Sequence, residues 1–102
     1  MRVHEMRRVD GSGWREYVSD QGRVFAVAWQ GHLKPDLRLL LGAHYAAYGQ
    51  GSRRAARASS VRAQAWREGD LAVQESAHGH LFQGLVWVPS LAPAGFDAAA
   101  AR

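Results

Sequence analysis

A chain of 102 residues, 47% of them hydrophobic and none of them cysteine, has room for one domain with a single modest core and excludes a disulfide framework or a thiolate metal site. Its 13 basic residues against 9 acidic ones would invite a polyanion-binding reading; yet all the basic residues except Lys34 are arginine, while Ile and Asn are absent, a bias of GC-rich coding rather than of phosphate contacts. No run approaches the roughly 18 consecutive apolar residues of a membrane span, and Met1-Arg2-Val3-His4 opens without an apolar signal region, so the chain as written is expected to be soluble and not exported.

From the start, VHEMRRV (3–9) and WREYVS (14–19) flank Asp10-Gly11-Ser12-Gly13, a cluster able to take positive φ, and read as a hairpin. Asp20-Gln21-Gly22 then offers a loop ending in glycine, suited to a type I turn with a bulge. Closing both turns this way puts Met6, Tyr17 and Phe25 on one face and Glu5, Val18 and Val24 on the other. It also sets Arg7 beside Glu16 and Arg8 beside Arg15. In the third strand Phe25, Val27 and Trp29 form a bulky side expected to meet a helix, and Val24, Ala26 and Ala28 a small side.

Gly31 ends that strand. Pro35 has the preset φ of a first helical position, and Asp36 lies where the helix dipole favours a carboxylate. Leu37, Leu40, Leu41, His44, Tyr45 and Tyr48 recur with helical spacing, so a helix is expected from about Pro35 to Tyr48 with that stripe inward. Gly42 inside it costs about 1 kcal/mol relative to Ala, which points to close approach by another backbone. Gly49 is expected as the stop. Residues 49–60, GQGSRRAARASS, lack a period and large apolar groups and read as a flexible Arg/Gly/Ser-rich connector within a single 1–102 domain.

VRAQAW (61–66) fits a short strand and a helical turn equally. LAVQES (71–76) and LFQGLVWV (81–88) read as a second hairpin, with His78-Gly79 as its turn and Leu71, Val73, Phe82, Val86 and Val88 on one face. Pro89 and Pro93 end the pairing. The tail GFDAAAAR is expected to make one helical turn capped by Asp97 and anchored by Phe96. The fold class predicted is α+β: a curled antiparallel sheet of about five to six strands packed on one central helix, in the order βββ-α-(β)ββ.

Residues 3–48 resemble a family of bacterial proteins known as domain of unknown function 2844. The resemblance runs through the V-H-E entry, the R-E-Y-V-S hairpin, the G-x-V-F-A-V-A-W-Q-G strand and the P-D-L-x-x-L-L-G helix start. It resumes more loosely over LAVQESAHGHLFQGLVWVPSLAPAG, with V-Q-x-x-x-H and W-x-P-x-L-x-P-A-G, and is weakest over the arginine-rich connector. Because members usually carry a secretion signal and an additional N-terminal segment, the resemblance implies a periplasmic or extracellular location. A chain that opens at Met1 inside its first strand departs from that pattern, and is expected in the cytoplasm if complete. The family brings no established catalytic residues, so no active site and no cofactor is carried over.

Nor do the residues assemble one. Ser12, Ser19, Ser52, Ser59, Ser60, Ser76 and Ser90 fall mostly in turns or the connector, and none sits in a G-x-S-x-G elbow. Glu5 and Glu16 are expected to balance Arg7 rather than act as an acid–base pair. Gly11-Ser12-Gly13 and Gly49-Gln50-Gly51 lack the strand-loop-helix context that aims amides at phosphate. His78 and His80 are the weak candidates for a metal, with only Glu75 near enough in sequence to help. His44 on the leucine stripe, His4 at a strand start and His32 in a loop read as boundary or solvated side chains. Arg53, Arg54, Arg57, Arg62 and Arg67, with Trp66 as a stacking aromatic, are the candidate anion-binding residues for nucleic acid or anionic lipid; their bland reading is a solvated linker.

Trp29 and Trp87 are expected to pack around the helix. Trp14 is expected on the opposite face, with Val9, Val18, Val24 and Ala28. One helix cannot cover both sides of a sheet, so the remainder must be hidden by the connector, the second hairpin or another molecule. The sequence therefore points to a noncatalytic binding or accessory module acting through an aromatic sheet face. Val9, Trp14, Val18 and Val24 are its partner-binding residues, and a protein partner or a second copy is its occupant. Nucleic-acid or anionic-surface binding through the 53–67 arginine run is the alternative.

Overall fold

The structure, a computed structural model, describes residues 1–58 and 63–101. Six strands form one antiparallel sheet in the order β1-β2-β3-β6-β5-β4: β1 (Arg2–Arg7), β2 (Gly13–Val18), β3 (Val24–Gly31), β4 (Ala63–Glu68), β5 (Leu71–His78) and β6 (Leu81–Trp87). Two meanders, β1 to β3 and β4 to β6, thus join along β3 and β6. The helical segment leads from the end of the first meander to the outer strand of the second, giving the α+β curled sheet on a helix that the patterning predicts. Among the described residues no helix is long and apolar enough to cross a membrane.

The glycine-ended loop after β2 forms as expected. The Ser19 amide donates to the Arg23 carbonyl at 2.8 Å and the Gly22 amide to the Ser19 carbonyl at 2.9 Å, with Gly22 at φ 80°. Val18 accordingly pairs with Val24. One residue further the ladder shifts: Tyr17 pairs with Ala26, and Phe25 is left as a bulge. A shift of one residue exchanges the faces of everything beyond it, so Trp14 pairs with Trp29 rather than with Ala28. Phe25 joins the side of Ala26 and Ala28, away from Val27.

The first hairpin also differs in register. Its turn begins at Arg8, whose amide donates to the Ser12 carbonyl at 2.7 Å, so Glu5 pairs with Arg15 and Met6 with Trp14. The pairs expected between Arg7 and Glu16 and between Arg8 and Arg15 are not formed. Arg7 bonds instead to Glu5 on its own strand, 2.8 Å from Nε to Oε1.

Asp36 caps the first helical turn, α1 (Leu37–Leu41), its Oδ1 accepting from the Leu39 amide at 3.3 Å. Gly42 takes φ 53° and begins a 3-10 turn over Gly42–His44 before α2 (Tyr45–Ala58). A side chain at Gly42 would meet nothing nearby, so this glycine marks a break in the helix and not the close backbone approach expected of it. Gly49 does not stop the chain's helix either. The residues read as a connector are helical from 49 to 58, where Ala, Arg and Gln are good helix formers; residues 59 and 60 lie outside the described residues. The ambiguous segment resolves as strand from Ala63, while residues 61 and 62 lie outside the description.

In the second hairpin His78 pairs with Leu81, so Gly79-His80 forms the turn, one position later than expected. That change preserves side-chain parity. Leu71, Val73, Val86 and Val88 therefore share the helix-side core with Val27, Trp29, Leu37 and Tyr48, and Leu40, Leu41 and Tyr45 pack against its margin.

The other side of the sheet carries Tyr17, Phe25, Ala26, Ala28 and Leu85, and what covers it is the chain's own C-terminal segment. Phe96 meets Phe25 and Tyr17 edge to face, with ring centroids 5.1 and 5.6 Å apart. The Tyr17 hydroxyl and Arg15 Nη2 both donate to the Ala101 carbonyl, at 3.1 and 2.9 Å. Asp97 caps the short terminal turn by accepting from the Ala99 amide at 3.0 Å, as predicted. Trp87 packs with this back cluster and not around the helix. The cover found on the second face is thus the C-terminal segment, which was not among the covers expected from sequence.

Candidate functional site

The four residues expected to bind a partner lie on different ground from that predicted. Trp14 sits on the helix side, across from Trp29, packed against the edge of that core, with the Arg8 guanidinium 5.4 Å from its ring centroid. Val18 is buried, Val24 beside it is partly exposed, and Val9 stands fully in solvent at the β1–β2 turn. Glu16 separates Trp14 from Val18 along β2, so the four do not make one surface. Beyond them every residue of β1 is exposed. The charged series Arg2, Glu5 and Arg7 on that outer strand is a pattern that discourages addition of another strand.

A more organised site lies at the other end of the helix-side face. The cross-strand rows Trp29-Gly84-Glu75-Gln64 and Gly31-Phe82-Ala77 run side by side there. They floor a concave region of about 220 Å³ bounded by Trp29, Lys34, Gln64, Glu75, Ala77 and Phe82. Its shape begins with a glycine: because Gly84 has no side chain, the Trp29 indole lies across it, and a Cβ there would run into the ring. Trp29 is consequently only 3% exposed. Glu75 pairs with Gly84 on the next strand and reaches the same side.

Two helical-segment residues complete the arrangement. Tyr48 comes down from α2 and its hydroxyl donates to Glu75 Oε1 at 2.6 Å. Lys34, in the crossover between β3 and α1, directs Nζ to the Tyr48 oxygen at 2.9 Å and to Glu75 Oε2 at 3.4 Å. Nζ also lies 5.8 Å from the Trp29 ring centroid, within cation–π range. Burial first, and the Glu75 carboxylate second, hold the Tyr48 phenol well above its ordinary value. Tyr48 is therefore a neutral relay between an ammonium and a carboxylate.

This has a consequence at high pH. Above the ordinary tyrosine value of 10.0 the unfolded chain loses the phenolic proton while the folded one keeps it, so the unfolded state binds fewer protons and stability falls as pH rises. The limit is about 1.4 kcal/mol per pH unit for one such group. Urea denaturation at several pH values above 10 is expected to show a shallower decline for Tyr48→Phe than for the parent chain; equal slopes would contradict the relay.

No sequence motif joins this triad, because Lys34, Tyr48 and Glu75 are far apart in sequence and belong to three elements. One signal was present: Lys34 is the single lysine in a chain that otherwise uses arginine.

The arginine run is divided by the fold. Arg53 and Arg54 are exposed on α2, but Arg54 is engaged with the Glu68 carboxylate and the Arg67 carbonyl. Trp66 turns toward the helix, against Gly51 and with its ring centroid 5.9 Å from that of Tyr48. The Arg57 side chain and Arg62 lie outside the described residues. His78 and His80 are exposed at the β5–β6 turn, and among the described residues no group of three or more His, Asp or Glu side chains is placed to hold a metal.

A family model described as protein of unknown function (DUF2844) matches residues 1–101, which includes the arginine-rich stretch where the motifs were weakest. No curated protein and no solved structure matches the chain.

Proposed function

The chain belongs to the DUF2844 family of proteins of unknown function, and from that premise we propose that it is a noncatalytic binding module holding a segment of a protein partner on the aromatic end of its helix-side sheet face. The observation that carries this reading is the concave region where half-buried Phe82, beside the edge of the buried Trp29 ring, supplies apolar surface and Lys34, Glu75 and Gln64 converge as polar groups, the composition of sites that hold and orient a ligand. A volume of about 220 Å³ suits a few side chains of an extended segment rather than a folded domain. This is not the aromatic face inferred from sequence, which lay on the side away from the helix and was centred on Trp14; the proposed surface is on the helix side, at Trp29 and Phe82. The bulge at Phe25 turns Trp14 inward and the C-terminal segment occupies the back face.

Panning a random peptide library on the immobilised protein tests this. Enriched peptides are expected to bind the parent chain and to lose at least about tenfold in affinity, roughly 1.4 kcal/mol, on Phe82→Asp, a change at a half-buried position near the sheet's end. No enrichment, or peptides indifferent to Phe82→Asp with the circular dichroism spectrum unchanged, would count against it.

A further inference from the structure

We propose that the group this face selects is a primary alkylammonium, and that Lys34 holds its place as the chain's own occupant; the inference rests on the binding reading above and names the chemistry of its ligand. An ammonium removed from water needs acceptors for its three N–H groups and a counter-charge. The surroundings of Lys34 Nζ supply these from three separate elements: the Tyr48 oxygen at 2.9 Å from α2, Glu75 Oε2 at 3.4 Å from β5, and the Trp29 face at 5.8 Å from β3. Nζ is also 5.6 Å from the Tyr48 ring centroid, but it approaches that residue through the hydroxyl and not over the ring.

The receptor and its occupant are held very differently. Trp29 and Tyr48 are buried, 3% and 7% exposed, and fixed by sheet pairing and helix packing. The Lys34 side chain is 42% exposed, and its contact with Glu75 is the longest ion pair in the described structure, at 3.4 Å. Lys34 belongs to the crossover after β3, so its side chain can leave without breaking a ladder bond. The concave region continues from the ammonium position along Phe82 and Ala77, where the stem and neighbouring groups of an incoming ligand have room to lie. A guanidinium is broader and planar, which accounts for lysine at this one position.

A tethered occupant competes like a ligand at millimolar effective concentration. External amines are therefore expected to bind the parent chain weakly, and at least about tenfold more tightly once Lys34 is removed. The experiment titrates parent chain and Lys34→Ala with n-butylammonium, following thermal denaturation and the Trp29 indole N–H resonance, with sodium at matched ionic strength as control. Butylammonium is expected to raise the melting temperature of Lys34→Ala and shift that resonance, and Glu75→Gln in the Lys34→Ala background is expected to abolish both responses. If Lys34→Ala is unfolded alone, the amine is expected to restore its folded spectrum.

A second arm separates the sources of the ammonium. A short peptide with one central lysine is compared with its Nε-acetylated twin, which lacks the charge. Tighter binding of the lysyl peptide than of butylammonium, lost on acetylation, identifies a protein lysine; equal binding identifies a free amine. The inference is overturned if Lys34→Ala responds to butylammonium no more than the parent does, or if sodium reproduces the response. In that event library peptides that still depend on Phe82 would leave the binding module standing, and their absence would remove both.

Discussion

Phe96→Asp is expected to strip the cover from the back of the sheet and to be among the most damaging single changes in the chain. Phe96 is the aromatic side chain that the C-terminal segment lays on Tyr17 and Phe25. Truncating a fully buried Phe to Ala costs about 3–5 kcal/mol; for a half-buried ring about 2 kcal/mol is a fair expectation for Phe96→Ala. Asp adds the desolvation of a carboxylate beneath the segment. At about 4–8 °C per kcal/mol for a domain near this size, Phe96→Ala is expected to lower the melting temperature by about 10 °C and Phe96→Asp by more. Phe96→Asp is also expected to bind a hydrophobic dye through the uncovered Phe25 and Leu85 face. The smaller Asp97→Ala change, which removes only a cap, is expected to cost about 1 kcal/mol. If Phe96→Asp melts with the parent, the segment does not cover the sheet and the back face is free after all.

That expectation turns on a part of the fold the sequence only half disclosed. Asp97 and Phe96 are legible as cap and anchor from their spacing to the terminal alanines. Where the anchor lands is not legible, because nothing local encodes which side of a distant sheet a tail crosses. Strand existence, the glycine-ended turn after β2 and the apolar face of β5 and β6 follow from alternation and turn chemistry, which are local. Register is different. The bulge at Phe25 adds one residue to one strand, and with a period of two that single residue moves Trp14 to the helix side and Phe25 to the back. Trp14 therefore stands on the helix side because of a backbone irregularity that has no side-chain signature. The helix shows the converse case: Leu37 to Tyr48 announce a buried stripe, but Gly49 and Gly51 mimic a stop. The Lys34, Tyr48 and Glu75 cluster depends on all three outcomes at once, the crossover, the helix and the β5 register, and so it emerges only in the folded chain.

Gly51 and Gly84 supply the sharpest test of that packing, since here propensity and structure give opposite signs. Glycine within a helix or a strand is normally worse than alanine by about 0.5–1 kcal/mol, and neither residue has the positive φ that would excuse it. On local grounds Gly→Ala should stabilise at both. Yet a Cβ at Gly84 would run into the Trp29 ring, and one at Gly51 into the Trp66 ring, and both glycines are buried. Overpacking of this kind costs about 1–3 kcal/mol, so Gly84→Ala and Gly51→Ala are each expected to destabilise by about 1–3 kcal/mol in urea denaturation. Gly84→Ala is the larger loss, because its strand neighbours fix the backbone on both sides while α2 can shift along the sheet. The double mutant Gly84→Ala with Trp29→Leu separates collision from any backbone effect: once the indole is gone, alanine at 84 should become neutral or favourable, a coupling of at least about 1 kcal/mol. Strict additivity would mean that the indole does not lie on Gly84. The floor beside Lys34 would then need a different geometry, because the ammonium site takes one of its three walls from that ring.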